Sequence, residues 1–193
     1  MNDLQERLDL SEAKNRLNNW VAISVAIISV VMAIAKVKDD NIVQAMLQAK
    51  SDSVDRWNEY QSKKIKHHLA ELGLNQVNAL MGMAREQGNR ELLKQQKAYQ
   101  EVIVRYQKDE ATISGLAKGF EKQYDALNFR DDQFDLSDAS LSISLAMLAV
   151  TSLVGKRKLL WFAWVFAAFG IVMGVAGIAG WPLHPDFLAK LLS

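Results

Sequence analysis

The chain has no cysteine, and its two prolines, Pro182 and Pro185, both lie close to the C-terminus. Without cysteine there are no disulfides, no thiolate catalysis and no Cys-ligated zinc, and redox logic leaves the compartment open. Without proline over the first 181 residues nothing forces a helix to stop. Charge of one sign is also missing. Lysine and arginine number 23 against 22 acids, a net charge of +1, which removes any case for bulk attraction to nucleic acid or to anionic lipid. No phosphate-binding GxxxxGK[ST] loop, nucleophile elbow or metalloprotease helix occurs. The basic-plus-aromatic surface that nucleic-acid binding needs is absent too. The expectation is therefore no enzyme, no cofactor, no metal and no nucleic-acid partner.

What the chain does have is long apolar runs. Trp20–Ala35 is unbroken, Leu159–Trp181 carries no charge, and Leu136–Val154 is charged only at Asp138. The mean hydropathy of −0.05 hides this, because a highly charged insert cancels the apolar runs. A helix needs about 20 residues to cross ~30 Å of hydrocarbon. The 23 residues of Leu159–Trp181 suffice, with Trp161, Trp164 and Trp181 near the ends as interface anchors. The 16 residues of Trp20–Ala35 cover only ~24 Å. They span if Lys36 snorkels to the headgroups and Trp20 anchors the other side. Ala33-Ile34-Ala35 has the form of a signal-peptide cleavage site. The long preceding region, with acids Asp3, Glu6, Asp9 and Glu12, argues for a retained span.

The expected fold is all-α: three transmembrane helices with a long extramembrane helical hairpin, coiled-coil-like, inserted between spans 1 and 2. The expected segments are an N-terminal amphipathic cytoplasmic segment (1–18), span 1 (19–37), the hairpin (38–135), span 2 (136–155), span 3 (159–181) and a C-terminal tail (182–193). The short basic loop Lys156-Arg157-Lys158 belongs on the cytoplasmic side, as do Lys14 and Arg16. That puts the N-terminus inside and the hairpin outside, in a bacterium the periplasm. Lys36 and Lys38 run against this orientation.

The insert from Lys36 to Asp138 carries 16 basic and 17 acidic residues. Every seventh residue from Leu92 is apolar or aromatic: Leu92, Tyr99, Tyr106, Ile113, Phe120, Leu127 and Phe134, then Leu141 and Leu148 in the second span. A strict seven-residue repeat marks the seam of a helix packed on a partner. The companion positions Gln96, Ile103, Glu110, Ala117 and Tyr124 are mixed, so the stripe is narrow. It serves either an intramolecular hairpin or an intermolecular coiled coil. The returning arm, Val37 to about Leu72, is helical by propensity but sparsely apolar (Ile42, Val43, Met46, Leu47, Val54, Trp57, Tyr60, Ile65, Leu69). Gly73, Gly82, Gly88 and Asn89 suit a chain reversal. The arms would be ~50–65 Å long and can run on into the spans.

Candidate chemistry is thin. Asp39, Asp40, Asp131, Asp132, Asp135 and Asp138 form a juxtamembrane acidic collar, a solvated rim or a cation-attracting pore mouth. Asp138 caps the second span or enters the membrane. His67 and His68 diverge by ~100° on a helix and read as a solvated pair. His184 sits in a turn between the prolines. Ala163, Ala167, Gly170, Gly174 and Gly177 share one face of the last span, a close-packing pattern used within a bundle or between subunits. Ser140, Ser144 and Thr151 share a face of the second span.

Two segments carry a resemblance. One is Asn19-Trp20-Val21-Ala22 leading to Lys36-Val37-Lys38-Asp39-Asp40-Asn41-Ile42-Val43-Gln44-Ala45-Met46, then Trp57-Asn58 and Tyr60-Gln61. The other is Tyr124-Asp125, then Phe129-Arg130-Asp131-Asp132-Gln133-Phe134-Asp135-Leu136-Ser137-Asp138-Ala139, ending in Gly180-Trp181 and His184-Pro185. Together they resemble a bacterial membrane-protein family known as domain of unknown function 4337. The resemblance covers nearly the whole chain, less clearly Leu69–Arg90. It implies a bacterial inner-membrane protein and carries over no activity and no catalytic residue.

Three functions are then in play. The first is a structural or scaffolding membrane protein in contact with the lipid bilayer, a homo-oligomer assembling through its hairpin and its glycine face. The second is a small oligomeric ion channel with the acidic collar at its mouth. The third is an accessory subunit of a larger membrane complex.

Overall fold

A computed structural model describes residues 2–83 and 86–183. His184, Pro185 and the tail beyond Leu183 lie outside the described residues. Three helices, α1 (Asn2–Met81), α2 (Glu86–Val154) and α3 (Arg157–Ala179), are the only regular elements among the described residues. Each contains a stretch long and apolar enough to cross a membrane. The absence of proline explains the lengths of α1 and α2: every backbone N–H can find its i−4 carbonyl.

The chain divides into two compact units. The first comprises residues 1–45 and 126–193, the second 46–125. In the first, the beginning of α1, the end of α2 and all of α3 share an apolar core. Leu17, Val21 and Ile28 of α1 meet Leu141 and Leu148 of α2 and Leu160, Ala163 and Ala167 of α3. The buried positions include 134, 137, 141, 144, 148 and 151 on α2 and 160, 163, 167, 170, 174 and 177 on α3, joined by 133, 136, 140, 173 and 176 where α2 meets the end of α3. Both series alternate steps of three and four, the knobs-into-holes spacing. Between α2 and α3 the chain turns at Gly155, whose φ of 71° is the left-handed conformation glycine adopts freely. Its N–H donates to Thr151 O at 2.8 Å and closes the end of α2.

In the second unit the rest of α1 lies against the start of α2. Asn78 bonds Gln96, His67 meets Glu110, Lys63 meets Asp109 and Trp57 bonds Glu121. From the Asn78–Gln96 pair to the Trp57–Glu121 pair the α1 number falls and the α2 number rises, so these segments are antiparallel. The α1 segment 46–81 is ~54 Å long. The seam residues of α2 are all buried or half-buried from Leu92 to Leu127, with Ile113 only 7% exposed.

Two expectations need correction here. Gly73 is not in the reversal but inside α1, where an added Cβ would come within 2.6 Å of the Tyr99 ring. Gly82 lies in a turn directly after α1, and Gly88 and Asn89 already belong to α2. Asp138 caps nothing, because α2 passes through it without a start; its side chain is exposed. Along the returning arm Met46, Trp57 and Tyr60 are half-buried, and small or polar residues share the seam with them. Ala49, Ser53, His67, Ala70 and Val77 are buried, while Leu47, Val54, Ile65 and Leu69 face outward.

Candidate functional site

The family-like segment from Phe129 to Ala139 sits on α2 against the end of α3. Three of its residues hold that end. The Arg130 Nε donates to Gly177 O at 3.0 Å, and its guanidinium reaches Ile178 O at 3.4 Å. Gln133, with no exposed surface, donates from Nε2 to Trp181 O at 2.8 Å and Leu183 O at 2.6 Å. The Phe134 ring lies where a Cβ on Gly177 would come within 3.0 Å. The last carbonyls of a helix have no partners within it, and a cation there also meets the negative end of its dipole. Gly180, at φ 68°, completes the cap by donating to Ala176 O. Sequence reasoning missed Arg130 and Gln133. No local signal pairs them with carbonyls about fifty residues on.

The acids of the collar occupy the same level. Asp39 of α1 is buried and accepts from Lys36 Nζ at 2.8 Å, while Asp40 is exposed and 3.6 Å from the same ammonium. Burial, helped by the Asp135 and Asp39 carboxylates, pushes Asp131 up to about 6. Asp135 is raised as well, by burial and then by the charges of Asp39 and Asp132. The structure thus brings Asp39, Asp131, Asp132 and Asp135 together, with Asp138 adding its charge to Asp135. Among the described residues no group of three or more His, Asp or Glu is placed to hold a metal ion. The arrangement can share a proton between carboxylates and can concentrate cations electrostatically.

The glycine face is used within the chain. A Cβ on Gly170 would fall 2.7 Å from Leu141 Cγ and 3.0 Å from Ser137 O, and one on Gly174 would fall 2.8 Å from Ser137 Oγ. Gly170, Gly174 and Gly177 therefore let α3 approach α2. The hydroxyl face of α2 meets the same helix: Ser144 Oγ donates to Ala163 O at 2.7 Å in the buried interior. Thr151 instead donates to Met147 O of its own helix.

In the second unit His67 is buried, against the expectation of a solvated pair. Its Nδ1 lies 2.8 Å from Glu110 Oε1 on α2, and its Nε2 3.5 Å from Glu71. His68 stays exposed, stacks on it at 5.9 Å and bonds Glu71 at 3.0 Å. Bonding to His68 holds the Glu71 carboxyl below its ordinary range. Glu110, a polar companion in the heptad stripe, thus meets a polar partner. Lys63 does the same for Asp109 at 2.8 Å, lowering the Asp109 pKa. Leu92, Tyr99, Tyr106, Phe120 and Leu127 are half-buried along the same side of α2.

The profile of the family described as domain of unknown function DUF4337 matches residues 17–180. The chain belongs to this family. No curated protein and no solved structure matches it. In this DUF4337 chain the matched region opens at Leu17, the first core residue of α1, and closes at Gly180, the cap of α3. It therefore takes in the acidic cluster, the α3 cap and the whole polar segment.

Proposed function

We propose that this DUF4337 protein is a non-enzymatic structural protein of the bacterial inner membrane. Three spans anchor an extramembrane helical hairpin, formed by 46–81 and 86–125, that associates with other copies of itself. The N-terminus and the Lys156–Lys158 loop are cytoplasmic and the hairpin periplasmic. One observation carries self-association. Leu47, Val54, Ile65, Leu69, Leu72 and Leu80 of α1 are each 47–61% exposed. At 100° per residue they fall on one face. That face lies outside the contact with α2 and within the most charged part of the chain. Burying residues of this kind is worth about 1.5–3 kcal/mol each, and exposed apolar residues aligned along one face of a polar helix mark an interaction surface. A second copy offers the same stripe, and the near-neutral charge of the segment raises no barrier to self-contact. The glycine face has no part in this assembly, since α2 covers it.

The test is the mass of the detergent-solubilised particle for the wild type and for Ile65→Glu/Leu69→Glu. A multi-subunit wild type and a smaller variant of equal helicity support the reading. Equal masses overturn it. A foreign protein at fixed stoichiometry in the wild-type particle would instead favour an accessory subunit. The acidic cluster favours a second reading, a cation channel. Under that reading proteoliposomes would leak cations, and Asp131→Asn would reduce the leak.

A further inference from the structure

Two cavities meet on the flank where α1 and α3 run side by side. The first, about 250 Å³, is where Arg16 and Arg157 face three tryptophans, Trp20, Trp161 and Trp164. No acid lines it; the Arg16 guanidinium has Glu12 3.7 Å away, with both side chains largely in solvent. The second, about 320 Å³, is an apolar trough over Ile23, Ile27, Ala168 and Ile171. Trp20 and Trp164 line both, so the two adjoin across these rings. Trp164 is fixed there by donating from Nε1 to Ser24 Oγ at 2.9 Å and by its edge contacts with Trp20 and Trp161.

We propose that this joined cavity is a binding site for one anionic phospholipid, its phosphate between Arg16 and Arg157 and an acyl chain in the trough beyond Trp20 and Trp164. The chemistry is graded along the site as it is along a lipid. Guanidinium forks match phosphate oxygens, bidentate and always charged. α3 begins at Arg157 with no side chain capping it, so its first N–H groups and positive dipole end face the same level. Tryptophan belongs at the headgroup boundary, and basic pockets between membrane helices take anionic headgroups. The lengths agree. From Arg16 to Ile28 the α1 backbone rises ~18 Å, close to one ~15 Å leaflet of hydrocarbon plus a headgroup. Free phosphate would use the arginines but leave the trough uncovered. The net charge of the chain gives no hint of this site, because acids elsewhere in the chain balance the two arginines in the total but do not line the cavity.

The inference rests on the membrane reading, and its test separates the two. Protein is reconstituted in phosphatidylcholine vesicles doped with phosphatidylglycerol brominated on its acyl chains, or with equally brominated phosphatidylcholine. Tryptophan quenching is then read, since three of the five tryptophans line the site. The wild type should be quenched at about tenfold lower brominated phosphatidylglycerol than brominated phosphatidylcholine. Arg16→Gln/Arg157→Gln should lose that preference, and Lys14→Gln/Lys158→Gln, which removes equal charge outside the lining, should keep it. Ala168→Phe, which fills the trough, should weaken quenching by both lipids. Equal quenching by both lipids in the wild type overturns the site, as does an unchanged preference in the arginine variant. Loss of the preference on adding inorganic phosphate at constant ionic strength also overturns it, in favour of a phosphate site. Failure of the wild type to float with vesicles overturns the membrane reading itself.

Discussion

One added methyl group separates two kinds of glycine in these helices. At Gly170 it would press on Leu141 Cγ at 2.7 Å and on a backbone carbonyl at 3.0 Å, whereas at Gly119 it would meet nothing within 4 Å. Gly170→Ala should lower stability by about 1–3 kcal/mol, since the carbonyl cannot step aside. Gly119→Ala should raise it by roughly 0.5–1 kcal/mol by removing helix-breaking entropy. Thermal unfolding in detergent reads both, and a neutral Gly170→Ala would contradict the close approach. Asp131 makes a residue-scale prediction about pH. Its folded-state pKa is raised to about 6 by burial and by Asp135 and Asp39, above the ~3.9 of an unfolded aspartate. The folded state therefore holds the proton more tightly. The stability this contributes is complete below about pH 4 and is lost as pH rises through about 6. Solvent screening at this half-buried group limits the effect to ~1 kcal/mol. Asp131→Asn should flatten the stability profile over that window.

At the scale of the element, α2 was legible and α1 was not. The α2 seam is built from large residues at strict sevens, so a reader of the sequence can follow it from Leu92 to Leu148. The facing seam of α1 is made of Ala49, Ser53, His67, Ala70 and Val77, and small or polar residues carry no apolar signature. They are buried because large side chains on α2 fill the space opposite. Tyr99 over Gly73 is the clearest instance. The conspicuous Ile65 and Leu69 point the other way, so apolar content alone does not find the face that meets α2. His67 was misplaced for the same reason, its partner Glu110 being forty-three residues away in sequence. The seam makes its own prediction. Ile113→Asp puts a charge where 93% of the residue is covered and should cost several kcal/mol. Its exposed neighbour Thr112, whose hydroxyl bonds Lys108 O, should accept Asp with a change within about 0.5 kcal/mol. Helicity measured against temperature distinguishes the two, and similar melting curves would contradict the packing.

For the whole molecule, the all-α class and the three apolar stretches followed from hydropathy and the missing prolines. The end of α3 did not, because Arg130 and Gln133 look like ordinary surface residues until α3 is brought beside them. Sidedness in the membrane rests on the basic loop after α2. The chain has no native cysteine, so single cysteines report without background. Gly119→Cys should react with an impermeant thiol reagent in intact spheroplasts, and Lys156→Cys should react only after lysis. The reverse pattern would invert the proposed topology.

The two-residue joint at Gly155 and Lys156 has a consequence for how the protein is made. The apolar stretch of α2 has a mean hydropathy of 1.5, against 2.2 for α3, and it carries buried hydroxyls at Ser137, Ser140 and Ser144. Emerging alone from an insertion channel, α2 would trade water for lipid at poor profit. Ser144 finds its acceptor at Ala163, and Gly170, Gly174 and Gly177 of α3 receive α2. Synthesis of α2 is thus finished, in an energetic sense, by the twenty-odd residues that follow it. The pair should leave the channel together, with α3 acting as an intramolecular escort for the weaker helix ahead of it.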